Sequence, residues 1–352
     1  MPNIRQNLPI RRLAGAVAVI ATLSTAAPAH ALLFNLTDTG NAQANMGFQA
    51  AASFWESLFI DPIEVNITTG FSALPPGVLG SAGSNYVSSS LSNMRTALGN
   101  DATSADDATM VAGLPAGATY SKWINNTSTN AAAHLQTGVT DLRMTRANGK
   151  AIGLVAANDA AEDASISFSN LFNWDFDPSD GVDVGTFDFI GVAIHELGHA
   201  MGFTSGVDIL DINGTARFSD EQFAPFSTLL DFTRCSATSQ AAGADMDWTV
   251  GNAAKDFAID GNCNALVNNA WSTGVNFGDG RQASHWKDNL GIGIMDPTLA
   301  SGNVAVVTER DIQALDVIGW TRATDMPTPG TLLLLMSGLF GLGAARYRGR
   351  HN

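Results

Sequence analysis

The chain runs to 352 residues and carries 33 acidic against 18 basic side chains, a net charge of −15 with histidine neutral. That balance excludes nucleic acid and anionic surfaces as partners, since both select for basic patches. A hydrophobic content of 45 % with only 14 % charged residues excludes a disordered chain and suits one large or two smaller folded domains.

The N-terminus places Arg5, Arg11 and Arg12 before an apolar run over 13–27 and ends it in Ala29-His30-Ala31. A basic flank, an apolar stretch and a small-x-small triplet are the three parts of a secretory signal peptide, expected over 1–31. The body is then expected over 32–325. All 33 acidic residues lie in it while six of the 18 basic ones lie in the two terminal segments, so the body sits near −21.

Within the body, Phe48, Ala52, Trp55 and Phe59 recur at helical spacing and predict a helix over 44–59, stopped by Pro62. The alternation over 63–68 predicts a strand. Residues 71–84, rich in Gly, Pro and Ser, read as loop, 103–130 shows no clear period, and His134 sits in an alanine-rich stretch, 131–135, that reads as a plain helix. A second strand is expected over 164–169. The loop 173–185 holds Asp175, Asp177, Asp180 and Asp183. Its spacing fails the EF-hand pattern, because Asp180 stands at the glycine position and Thr186 at that of the bidentate glutamate. Calcium there ranks below a solvated turn.

A buried helix is expected over 187–201, with Thr186 as N-cap and Gly202 as its stop. It contains His195-Glu196-Leu197-Gly198-His199. Residues four apart share a helix face, so His195 and His199 can address one ion, and neutral imidazole is a good zinc donor. Glu196 is then the general base that activates the attacking water. A catalytic zinc takes a third protein ligand and keeps one position open. The extended HExxHxxGxxH pattern would put it at 205, which is Ser205. The remaining candidates rank as His285, then Asp208, then Glu221, with Asp211 also chemically able. Cys235 and Cys263 form no CxxC; in an exported chain an even pair reads most simply as a disulfide, with two buried thiols as the alternative. Thr308 with Asp311 opens a closing helix that ends at Ile318-Gly319-Trp320.

His285-Trp286, followed by Gly293-Ile294-Met295-Asp296-Pro297, resembles the leishmanolysin-like branch of the metzincins, in which a long insertion separates the second histidine from the third. The resemblance implies His285 as third ligand and Met295 as the turn methionine beneath the metal. The implied fold is α+β in two lobes, the upper with a small twisted sheet, the lower irregular, with residues 205–284 as the insertion. The cleft would take an extended peptide beside an edge strand, for which 164–169 is the candidate. At the far end, Met326-Pro327-Thr328-Pro329-Gly330, an apolar stretch over 332–345 and Arg346, Arg348 and Arg350 resemble a PEP-CTERM sorting signal, with Thr328 where that signal carries Glu. Together with the HELGHAMGF segment, this tail is similar to exported bacterial PEP-CTERM metalloproteases. That likeness implies a zinc peptidase outside the cytoplasm, acting on protein or peptide. Its processing partners would be signal peptidase and an exosortase-type enzyme, and the tail at 326–352 would anchor it transiently in the membrane. Two other readings are a matrix protein with a structural zinc and a zinc hydrolase of a non-protein amide.

Overall fold

The computed structural model describes residues 31–263 and 270–323; the expected signal peptide and sorting tail lie almost wholly outside them. β1 (Leu33–Leu36) leads into α1 (Ala42–Leu58), whose first turn is capped by Asn41 accepting from the backbone N–H groups of Gln43 and Ala44. The periodic residues Phe48, Ala52 and Trp55 all face the interior. There follow β2 (Glu64–Ser72), β3 (Gly80–Ser84), β4 (Tyr86–Ser90), α2 (Leu91–Asp101) and α3 (Ala105–Gly113). After them come β5 (Tyr120–Ile124), β6 (His134–Val139), β7 (Asp141–Thr145), α4 (Arg146–Ala151) and β8 (Ala164–Ser169). α5 (Phe189–Met201) carries the histidine pair, and α6 (Val207–Arg217), broken at Gly214, begins the insertion.

The architecture is mixed α+β with small sheets. The main sheet has the order β1-β2-β8-β3, parallel except for β3, which runs antiparallel to β8. α1 and α5 pack against each other across Phe48 and Phe189, whose rings meet edge to face at 5.3 Å, and Trp55 Nε1 donates to Ile194 O at 3.0 Å. Among the described residues no helix is long and apolar enough to cross a membrane.

Several expectations are corrected. β8 matches the expected span but is not an edge: it pairs with β2 on one side and β3 on the other, burying Ala164, Ile166 and Phe168. The edge beyond β8 is β3, read as loop because Gly-Ser-Ala-Gly-Ser has weak strand propensity; pairing with β8 along its whole length overrides that. The region 103–130 contains α3, opened by a capping box between Ser104 and Asp107, and β5. His134 begins a strand, not a helix, and its Nε2 lies 2.7 Å from Asp220. The local alanine preference yields there to pairing with β5 and to the bond from Gln136 to Asp220 O. α5 is capped by Asp188, which accepts from Gly191 N at 2.8 Å, while Thr186 turns away to donate to Asp183 O. In the acidic loop, Asp175 accepts from the backbone N–H groups of Asp177 and Asp183. Its carboxylate serves as a turn cap.

The insertion is woven into the rest. Met246–Asp247 adds in parallel to β5, and Cys235 and Cys263 are joined by a disulfide with Cα atoms 5.6 Å apart.

Candidate metal centre

α5 is buried on nearly every side, and its C-terminus is set by Gly202 at φ 122°, a conformation that side-chain-bearing residues rarely adopt. His195 and His199, one turn apart, point to the same side. His285 arrives from the end of the insertion. The three Nε2 atoms stand 3.1, 3.1 and 3.2 Å apart. Among the described residues these three histidines are the group that could hold a metal ion.

The other ring nitrogens decide how the triangle reads. His195 Nδ1 lies 2.7 Å from Ile294 O, His199 Nδ1 2.7 Å from Phe203 O, and His285 Nδ1 3.3 Å from Gln282 O. A carbonyl only accepts, so each Nδ1 carries the proton and each Nε2 presents a lone pair. Three lone pairs then converge with no donor among them, an arrangement that a cation relieves. Two nitrogens on a tetrahedral zinc at ~2.0–2.1 Å are separated by ~3.3 Å, close to the spacing found here. The donor set and its geometry therefore fit zinc. Burial, followed by the charge of His195, lowers the pKa of His199 to about 3. Burial likewise lowers His195, and burial and the two neighbouring imidazoles lower His285. All three stay neutral, the form that binds metal.

Glu196 lies against β3, its Oε1 3.1 Å from where a Cβ on Gly80 would stand. Burial pushes its carboxyl up to about 8, with the Ala82 backbone pulling the other way, so both protonation states are within reach near neutral pH. Beneath the histidines, Met295 packs so closely on α5 that a Cβ on Gly198 would lie 2.8 Å from its sulfur. The Met295 turn hangs from Asp311, read from sequence only as part of a capping box. Its carboxylate accepts from Trp286 Nε1 at 2.8 Å, Ile294 N at 2.9 Å, Met295 N at 3.3 Å and Thr308 N at 2.7 Å. A carboxylate three residues after Thr308 is the one signal the sequence offers, and it gives no hint of this second role.

The rival ligands are engaged elsewhere. Asp208 accepts from the 283–284 backbone, Asp211 from the N–H groups of Asn276 and Phe277, and exposed Glu221 from Ser219 Oγ. The histidines lie in a cleft of about 1290 Å³ bounded by β3 on one side and the 291–306 segment on the other, with Leu79, Val192, Ile294, Pro297 and Val306 among its apolar lining. Compared with protein-family models, curated proteins and solved structures, the chain matches none of them.

Proposed function

We propose that this chain is a zinc endopeptidase of metzincin type, exported from a bacterial cell and carrying a C-terminal sorting tail. The observation that carries the reading is the triangle of Nε2 lone pairs with a buried carboxyl, Glu196, beside it in an open cleft. Zinc held by His195, His199 and His285 would act as a Lewis acid on a carbonyl and lower the pKa of a water. Glu196 takes the proton from the attacking water and returns it to the leaving amine. Among the described residues no strand pairs with the outer side of β3, which can offer backbone N–H and C=O groups to an extended peptide, and the cleft has room for several residues of one. Met295 and Asp311 hold the floor of the site. A structural zinc is closed by four protein ligands, whereas three converge here among the described residues, which favours the catalytic reading.

The test is zinc content and casein hydrolysis, measured together on wild type, Glu196→Gln and His285→Ala. Wild type should hold about one zinc and cut, as three protein ligands and an open position require. Glu196→Gln should keep the metal and lose hydrolysis, and His285→Ala should lose both. A wild type that holds zinc and cuts no protein moves the reading to a structural site or to another amide bond.

A further inference from the structure

The third histidine is held differently from the other two. His195 and His199 are fixed by α5 and by 2.7 Å bonds from Nδ1, whereas His285 lies on irregular backbone with an Nδ1 contact of 3.3 Å. A contact that long orients a ring weakly. The main chain that delivers His285 is instead gripped on both sides.

Asp208, at the start of α6, accepts from Ala283 N at 2.6 Å, from Ser284 N at 3.2 Å and from Ser284 Oγ. Ser284 Oγ in turn accepts from Ser205 N at 2.8 Å, four residues after α5 ends. From the opposite side Arg234, 1 % exposed, donates through Nη1 to Ala283 O and through Nη2 to Ser272 O, both at 3.0 Å. Ser272 N then donates to His285 O at 3.0 Å. The N–H groups of Ala283 and Ser284 thus end on half-buried Asp208 and the Ala283 carbonyl on buried Arg234, two charged residues that both belong to the insertion.

We infer that Asp208 and Arg234 are positioning residues that clamp residues 283–285 and hold His285 at the spacing the metal requires. The inference rests on the zinc reading above and goes beyond it in giving the insertion a task. Chain between the second and third ligands is what brings the clamp to the third. Groups hydrogen-bonded to a metal-ligating side chain weaken metal binding by ~10–100-fold once removed, and groups that fix the main chain carrying that ligand are expected to act on the same scale.

The experiment uses protein expressed from the full-length chain and purified as the cell processes it. Zinc affinity is measured by competition with a chromophoric chelator for wild type, Asp208→Asn, Asp208→Ala and Arg234→Met. Asp211→Asn serves as control, since Asp211 lies on the same helix and caps the neighbouring 276–277 backbone without touching 283–285. Hydrogen exchange is followed in parallel on the zinc-free proteins. We expect the Asp208 and Arg234 variants to bind zinc ~10–100-fold more weakly, with faster exchange confined to 282–286 and α5 unchanged. The Asp211→Asn control should bind zinc like wild type. Zinc affinity within twofold of wild type in the Asp208 variants overturns the inference, as does exchange raised equally throughout the fold. If wild type itself binds no zinc, the peptidase reading fails, while local exchange still judges the clamp: unchanged protection at 282–286 in Asp208→Asn removes it.

Discussion

Asp311→Ala should cost the protein much of its stability and disorganise the site from below. Asp311 is fully buried and receives three buried donors, an indole N–H from Trp286 and the backbone N–H groups of Ile294 and Met295, with a fourth, half-buried one from Thr308 N. Leaving a buried donor without an acceptor costs ~1–3 kcal/mol, so the three buried ones give ~3–9 kcal/mol before relaxation. Part is recovered, because burial raises the Asp311 carboxyl above its ordinary range, and that desolvation cost disappears with the side chain. The expected loss is therefore near the lower bound, about 3 kcal/mol, out of the ~5–15 kcal/mol typical of a folded protein. Urea unfolding of the zinc-free protein, followed by tryptophan fluorescence, measures it. The midpoint should fall sharply, and zinc affinity should fall with it, since Ile294 O orients His195 and Trp286 follows His285. A loss below about 1 kcal/mol would mean that the turn is held by something other than this carboxylate.

Other outcomes are as specific. Glu196→Gln should lower the hydrolysis rate by ~10²–10⁴-fold, the usual worth of a general base, at unchanged zinc content; an unaffected rate removes Glu196 from the mechanism. Replacing Cys235 and Cys263 by serine opens a loop spanning 28 residues, for which chain entropy predicts ~3.5 kcal/mol of destabilisation; equal denaturation midpoints with and without the bond contradict this. In the zinc-free protein, His199 should remain neutral down to about pH 3. Its value lies below that of the unfolded chain, so its contribution to stability is complete above about pH 6.5 and is lost as acid is added toward pH 3. Histidine NMR signals from the triad titrating together near pH 6.5 would contradict the buried geometry.

The centre of the site is legible in the sequence because its spacing is local. Four residues make about one helical turn, so His195 and His199 share a face whatever surrounds them, and Glu196 follows from its place between them. Helical and alternating periods likewise mark α1, α5, β2 and β8. Where tertiary partners override local preference, the sequence misleads. The small residues of β3 become a strand because β8 pairs with them, the alanines before His134 yield to β5 and Asp220, and β8 gains a second neighbour that makes it interior. Contacts between residues far apart in the chain have no such spacing to announce them. In sequence, His285 stands ahead of Asp208 and Glu221 partly by resemblance, whereas in the fold it meets His195 and His199 at 3.1–3.2 Å and Asp208 turns to the backbone that carries it.

By itself, then, the sequence determined the chemistry available: two imidazoles and a carboxyl on one helix, with a third imidazole and a methionine further along the chain. Only the tertiary structure decided that the third imidazole closes the triangle, that β3 borders the cleft, and that Asp311, Asp208 and Arg234 support the site. Those residues act through hydrogen bonds to backbone far away in sequence, and such bonds leave no periodic trace in the residues that make them.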